Sequence, residues 1–194
     1  ITNGDGSGGG VYISESTVTI HDVDIKENTG HGSGAGLSAN SSDLNMYNVK
    51  VYDNDCISNS CDGAGVFVYG GGNYIFNNVE IADNKVGSTV GQIEISTTAS
   101  GGTYSKIVFN NVTIAMSDTL SWPGSGIELY PHGPDIDLEF HNSIIGSHAA
   151  GGILNTLLEE WATGNANVII DYSDIVGGES SLIDIENLTY DSSN

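Results

Sequence analysis

Apolar and polar residues alternate along this chain in short runs with a period of two. Ser16-Thr17-Val18-Thr19-Ile20, Val23-Asp24-Ile25, Leu44-Asn45-Met46 and Val49-Lys50-Val51 are examples from its first quarter. Such alternation turns one side of a strand inward and the other outward, so the runs predict strands of three to five residues. The runs also recur. Asp22-Val23-Asp24-Ile25, Asn48-Val49-Lys50-Val51, Asn78-Val79-Glu80-Ile81, Asn111-Val112-Thr113-Ile114, Asn142-Ser143-Ile144-Ile145 and Tyr172-Ser173-Asp174-Ile175 begin at steps of 26, 30, 33, 31 and 30 residues.

A second marker keeps the same phase. Gly9-Gly10-Val11, Ala35-Gly36-Leu37, Ala64-Gly65-Val66, Ser125-Gly126-Ile127 and Gly151-Gly152-Ile153 each set a small residue and a glycine before an apolar one, with Gly91-Gln92-Ile93 a degraded copy. A repeat of about 30 residues indicates a solenoid, a propeller or a stacked array. Propeller blades need about 40 residues and long antiparallel hairpins, and leucine-rich repeats need a helix per unit. Neither pattern is present. Three short strands per repeat, with glycine or asparagine at the corners, predict a parallel β-helix of about six coils forming one domain over residues 1–194. One stretch departs from period two: Ile153, Leu154, Leu157, Leu158 and Trp161 are apolar at helical spacing before Gly164. It predicts a short helix over residues 153–162, with an irregular strand corner as the alternative.

Asn28, Asn54 and Asn84 each follow the last apolar residue of a strand by three positions. Stacked about 4.8 Å apart, their amides would bond one another and the turn backbone, and asparagine also accepts left-handed backbone angles. They are expected to be structural ladder residues. The recurring glycines are expected to mark corners where backbones approach closely.

Charge narrows the partners. The chain has 25 acidic residues, four lysines and no arginine, for a formal charge of −21. That surface repels phosphate backbones and anionic headgroups, which argues against nucleic acid and membrane-surface partners. There is no apolar run long enough to cross a bilayer. The chain starts at Ile1 rather than Met, and reads as a piece of a longer secreted or surface-anchored protein. Cys56 and Cys61 have no histidine nearby and no second cysteine pair, so a local disulfide is expected rather than a zinc site. This implies an oxidising, extracellular or cell-surface setting.

The pairing of Gly9-Gly10-Val11 with Ile25-Lys26-Glu27-Asn28 resembles the repeats of polymorphic outer-membrane-type proteins. Asn142-Ser143-Ile144-Ile145-Gly146 and Tyr172-Ser173-Asp174-Ile175-Val176-Gly177-Gly178 look like those of secreted right-handed β-helix proteins in the broad pectin-lyase-like group. The resemblance implies the fold over nearly the whole chain. That fold carries enzymes, tailspikes and adhesins alike, so function has to come from a site. Surface repeats of this kind are mostly non-enzymatic stalks or adhesive segments.

The leading expectation is therefore a non-catalytic extracellular scaffold or adhesin-like segment that displays loops toward carbohydrate or a surface protein. Trp122, Tyr130 and Trp161 are the candidate carbohydrate contacts, because aromatic rings in the excursions can stack on sugars. No cofactor is required. Calcium is the one the composition allows, through Asp53, Asp55 and Asp62 around the cysteine loop. The alternative is a carbohydrate-active enzyme, a glycoside hydrolase before a polysaccharide lyase, using Asp22, Asp24, Asp53, Asp55 and Asp83 on one face. Gly30-His31-Gly32 resembles a fragment of the polygalacturonase pattern, but the aspartate and basic motifs that accompany it are absent. Lyase chemistry on uronates lacks its arginine.

Overall fold

The structure is a computed structural model that describes residues 1–6, 8–58, 61–86, 92–97, 104–116, 126–132, 135–147, 158–160, 165–176, 182–183, 185 and 187–191. All strand pairs among them are parallel and in register between successive coils. They form three sheets. The first has seven strands, Val11–Ser14, Leu37–Asn40, Val66–Tyr69, Ile93–Ser96, Ile127–Tyr130, Leu158–Glu160 and Leu182–Ile183. The second has ten. It begins with the long strands Thr17–Lys26, Asp43–Tyr52 and Gly72–Ala82, and from Ser105–Asn110 and Thr113–Met116 onward each coil supplies two shorter pieces. The third is narrow, with Asp5–Gly6, Thr29–Gly30, Asp55–Cys56 and Lys85–Val86.

Among the described residues, then, four turns carry strands on all three faces, and the stack continues on two faces beyond them. The number of coils thus differs slightly from the six or so expected from the repeats, while the parallel β-helix is as expected. The helix expected over 153–162 is also corrected. Leu158–Glu160 is a strand, its Leu158, Glu159 and Glu160 paired with Ile127, Glu128 and Leu129. A neighbouring strand edge offers each backbone group a partner in register, and this outweighs a helical spacing of side chains. The remaining residues of that stretch lie outside the described ones, and among the described residues there is no helix.

The long strands bend at one residue per coil, and the repeat's first position is that residue. Asp22, Asn48, Asn78, Asn111, Asn142 and Tyr172 have φ of 56°, 54°, 55°, 54°, 51° and 47°. Left-handed backbone at a single residue turns the chain without interrupting the inward alternation, and aspartate and asparagine tolerate it best among residues with a β-carbon. These side chains form an exposed ladder, in which Asn48 Nδ2 donates to Asp22 Oδ1 at 3.0 Å and Asn78 Nδ2 to Asn48 Oδ1 at 2.6 Å.

A buried ladder occupies the next corner. Asn28 Nδ2 donates to Asn54 Oδ1 at 2.9 Å, Asn54 Nδ2 to Asn84 Oδ1 at 2.8 Å, and Asn84 Nδ2 to Gln92 Oε1 at 2.9 Å. The left-handed residues here are Glu27, Asp53 and Asp83, each one position before the asparagine expected to adopt that conformation. That turn aims the following amide inward. The recurring glycine lies where the amide arrives. A β-carbon on Gly36 would stand 2.5 Å from the Gly65 carbonyl oxygen, 2.6 Å from Val51 Cγ1 and 2.9 Å from Asn54 Nδ2. Gly10 and Gly65 face Asn28 and Asn84 in the same way. The two sequence markers share a phase because they are the two halves of one contact.

The interior is apolar and layered. Ile20, Met46, Phe76, Phe109, Phe140, Ile170 and Tyr190 occupy one column in successive coils. The three phenylalanines stack at 4.8 Å between ring centroids. Cys56 and Cys61 are bonded, closing a short loop beside Ala35 and Ala64.

Candidate functional site

The outer face of the seven-stranded sheet gathers the chemistry. Ile93, Ile95, Ile127 and Leu129 belong to the core, so strand alternation sends Glu94 and Ser96, and Glu128 and Tyr130, to the outside. Register puts Tyr12, Ser38, Phe67, Glu94 and Glu128 in one column and Ser14, Asn40, Tyr69, Ser96 and Tyr130 in the next. The Phe67 and Tyr69 rings stack at 5.9 Å, and Tyr130 stacks on His132 at 5.7 Å. Tyr12 and Tyr69 are exposed, at 58 % and 38 %.

The glutamates are not. Glu94 is 5 % exposed and Glu128 4 %, although they stand on the outer side of the sheet. Oε2 of Glu94 has no hydrogen-bond partner among the described residues. Burial pushes the Glu94 carboxyl up to about 9, with Asp62 and then Glu128 adding to the rise. Asp62 is half-buried and also raised by burial, against the hydrogen bond it accepts from Ser33 Oγ at 3.1 Å. None of the four lysines lies on this sheet, so no ammonium offsets the carboxylates. Glu94 is therefore a protonated acid at neutral pH, able to donate as well as accept.

A pH dependence follows. The folded state holds the Glu94 proton more tightly than the unfolded chain, so its contribution to stability is full below the ordinary glutamate value of 4.5. That contribution is lost progressively as pH rises toward about 9. Urea midpoints are expected to fall across this window in the native protein and to fall less in Glu94→Gln. Equal slopes in the two proteins would refute the assignment.

The aspartates singled out from sequence lie elsewhere. Asp53 and Asp83 follow Glu27 in one exposed turn column, Asp22 belongs to the other corner, Asp24 to the ten-stranded sheet and Asp55 to the narrow one. They do not share a face. Asp53, Asp55 and Asp62 do not gather either, and among the described residues no three histidine, cysteine or acidic side chains are grouped to hold a metal ion. Tyr130 stands on the outer face two positions after Glu128, while Trp122 and Trp161 lie outside the described residues. Glu94 and Glu128 were missed in the sequence. Their signal was there, since Ile93-Glu94-Ile95 and Ile127-Glu128-Leu129 both follow the glycine marker, at a position held by Tyr12, Ser38 and Phe67 in earlier coils.

A second set of charges has a structural explanation. His141 Nδ1 meets Asp171 Oδ1 at 2.5 Å, its Nε2 meets Glu139 Oε2 at 3.3 Å, and Glu139 Oε1 meets Lys106 Nζ at 2.9 Å. Burial works against the imidazolium, but the two carboxylates outweigh it and raise the His141 value. This chain of charges ties three coils together on the ten-stranded sheet, with both histidine nitrogens engaged. Among the described residues, no helix is long and apolar enough to cross a membrane.

Parallel pairing in register, two amide ladders and a layered apolar interior define a parallel β-solenoid scaffold. Residues 1–160 match the family described as right handed beta helix region, and the chain belongs to that family. Comparison with curated proteins and with solved structures gave no match.

Proposed function

We propose that this chain is a segment of an extracellular β-helix protein that holds a neutral carbohydrate on the outer face of its seven-stranded sheet. The observation that carries this reading is the set of rings on that face. Tyr12 and Tyr69 are exposed and Phe67 and Tyr130 half-buried, with the half-buried Asn40 opposite Tyr69 as a hydrogen-bonding group. An aromatic face takes the C–H side of a pyranose while neighbouring hydroxyls and amides take its OH groups. The overall charge of −21 and the absence of lysine on the sheet disfavour uronates and sulfated sugars. The disulfide supports an oxidising, extracellular setting.

The test is an array of neutral glycans followed by calorimetry on the best ligand. Tyr69→Ala is expected to weaken binding roughly tenfold. An array on which no neutral glycan is retained would sink the reading.

One observation favours a second reading, glycoside hydrolysis. Glu94 and Glu128 are directly opposite on neighbouring strands, about 4.8 Å apart in backbone. Retaining glycosidases hold their carboxyls roughly 5 to 5.5 Å apart. Glu94, protonated, would serve as the acid, and Glu128 as the nucleophile. Both being buried favours binding over turnover. Release of reducing ends from the bound glycan, lost in Glu128→Gln while binding remains, would move the balance to the enzyme.

A further inference from the structure

The exposed corner ladder breaks at its sixth position, and the break leaves a ring and an amide oxygen side by side. Asp22, Asn48, Asn78, Asn111 and Asn142 occupy the left-handed corner in the preceding coils, but Tyr172 holds it in the sixth with φ of 47°. A bulky side chain is a poor choice there, since left-handed backbone brings the β-carbon against the following carbonyl oxygen. Asparagine would both fit the backbone and continue the ladder. Tyrosine does neither, and its ring is 66 % exposed, more than that of any other large apolar or aromatic residue among the described ones.

The surroundings match one kind of ligand. Asn142 Nδ2 donates to Asn111 Oδ1, so the Asn142 amide oxygen points up the stack, toward the place where Tyr172 has no amide to offer. Ile144, 51 % exposed, and Asp174, exposed directly opposite it, stand just past the corner. An accessible ring, an aliphatic side chain and two oxygen acceptors, set within two residues of the corner on two adjacent strands, present an apolar patch edged by acceptors. A pyranose offers the complement, with axial C–H groups on one side and hydroxyl donors around its rim. The acceptors disfavour an anionic sugar, because Asp174 would repel it and the lysine of this column, Lys50, stands four coils from Asp174 and is paired with Glu80.

We infer that Tyr172 is the stacking platform of a second carbohydrate-binding site, for a neutral pyranose unit, with the Asn142 amide oxygen and the Asp174 carboxylate accepting its hydroxyls. The site lies on the corner of the ten-stranded sheet, away from the tyrosines of the seven-stranded one, and does not depend on the reading proposed for that face.

Titration of the intact chain with neutral hexaoses of glucose, mannose and xylose, followed by calorimetry and by broadening of tyrosine ring signals in NMR, tests it. Tyr172→Asn restores the ladder residue and is expected to fold with an equal or higher melting temperature. It should lose the affinity of this site by roughly tenfold or more, while Tyr172→Phe keeps it. Tyr69→Ala should leave the Tyr172 ring response intact. Overturning results are a Tyr172→Asn protein that binds every hexaose as the native chain does, or a native chain whose Tyr172 signal no hexaose perturbs. Loss of binding in Tyr69→Ala alone would leave the seven-stranded face standing and remove this site. Loss in Tyr172→Asn alone would do the reverse.

Discussion

Replacing Phe109 by alanine is expected to destabilise the protein by about 3–5 kcal/mol, read from the urea midpoint. The ring is fully buried and lies between Phe76 and Phe140, stacked on each at 4.8 Å. Truncation therefore opens a cavity whose walls are two rings held by their own strands, in register with Phe109 on either side. Those strands cannot collapse into the gap without breaking the ladder hydrogen bonds. In a solenoid each coil is stabilised by its neighbours, so a defect in a middle coil weakens two interfaces at once. Phe109→Leu keeps most of the volume and should cost less than about 1.5 kcal/mol. A loss below about 1 kcal/mol for the alanine variant would show that the stack is not a continuous core.

Asn54→Ala is expected to cost about 3 kcal/mol or more, from hydrogen bonding alone. Its amide donates to Ile25 O at 3.0 Å, Tyr52 O at 3.1 Å and Asn84 Oδ1 at 2.8 Å, and accepts from Asn28 N at 3.2 Å and Asn28 Nδ2 at 2.9 Å. Removing it leaves several buried donors and acceptors bare at once, and each unsatisfied group costs about 1–3 kcal/mol. Asn54→Asp should be no better near neutral pH, since a carboxylate cannot donate to Ile25 O or Asn84 Oδ1. The contrasting variant is Asn48→Gly, six residues earlier. It removes a rung of the exposed ladder at a position whose left-handed backbone glycine adopts freely, and should change stability by less than about 0.5 kcal/mol. Comparable losses in Asn54→Ala and Asn48→Gly, measured by urea unfolding, would contradict the distinction between the two ladders.

That pair shows how far the chain could be read in advance. Both asparagines recur at the same interval, both are followed or preceded by apolar positions, and both are corners. The left-handed backbone expected at Asn28, Asn54 and Asn84 falls instead on the residue before each, while at the other corner Asn48 itself carries it. The candidate site was less legible still. Aspartates are frequent near the repeat motif, yet the carboxyl most shifted is that of Glu94, raised first by burial and then by the charges of Asp62 and Glu128. Their importance comes from burial on the outer side of a sheet, which no local pattern reports. Tyr172 was visible as the one tyrosine in a column of aspartate and asparagine, but its exposure was not.

Period-two alternation repeated about every thirty residues is enough to specify stacked parallel strands. Each short run can bury its apolar side only against copies of itself, and the spacing leaves no length for any other arrangement. The glycine and asparagine markers follow from the same requirement. Which corner is wet and which dry, where the helical spacing near Leu158 yields to a strand, and which acids lose their water were decided only when residues 26 to 34 positions apart came within one strand spacing. Burial belongs to that assembled neighbourhood, and burial is what sets the proton on Glu94 and the cost of losing Asn54.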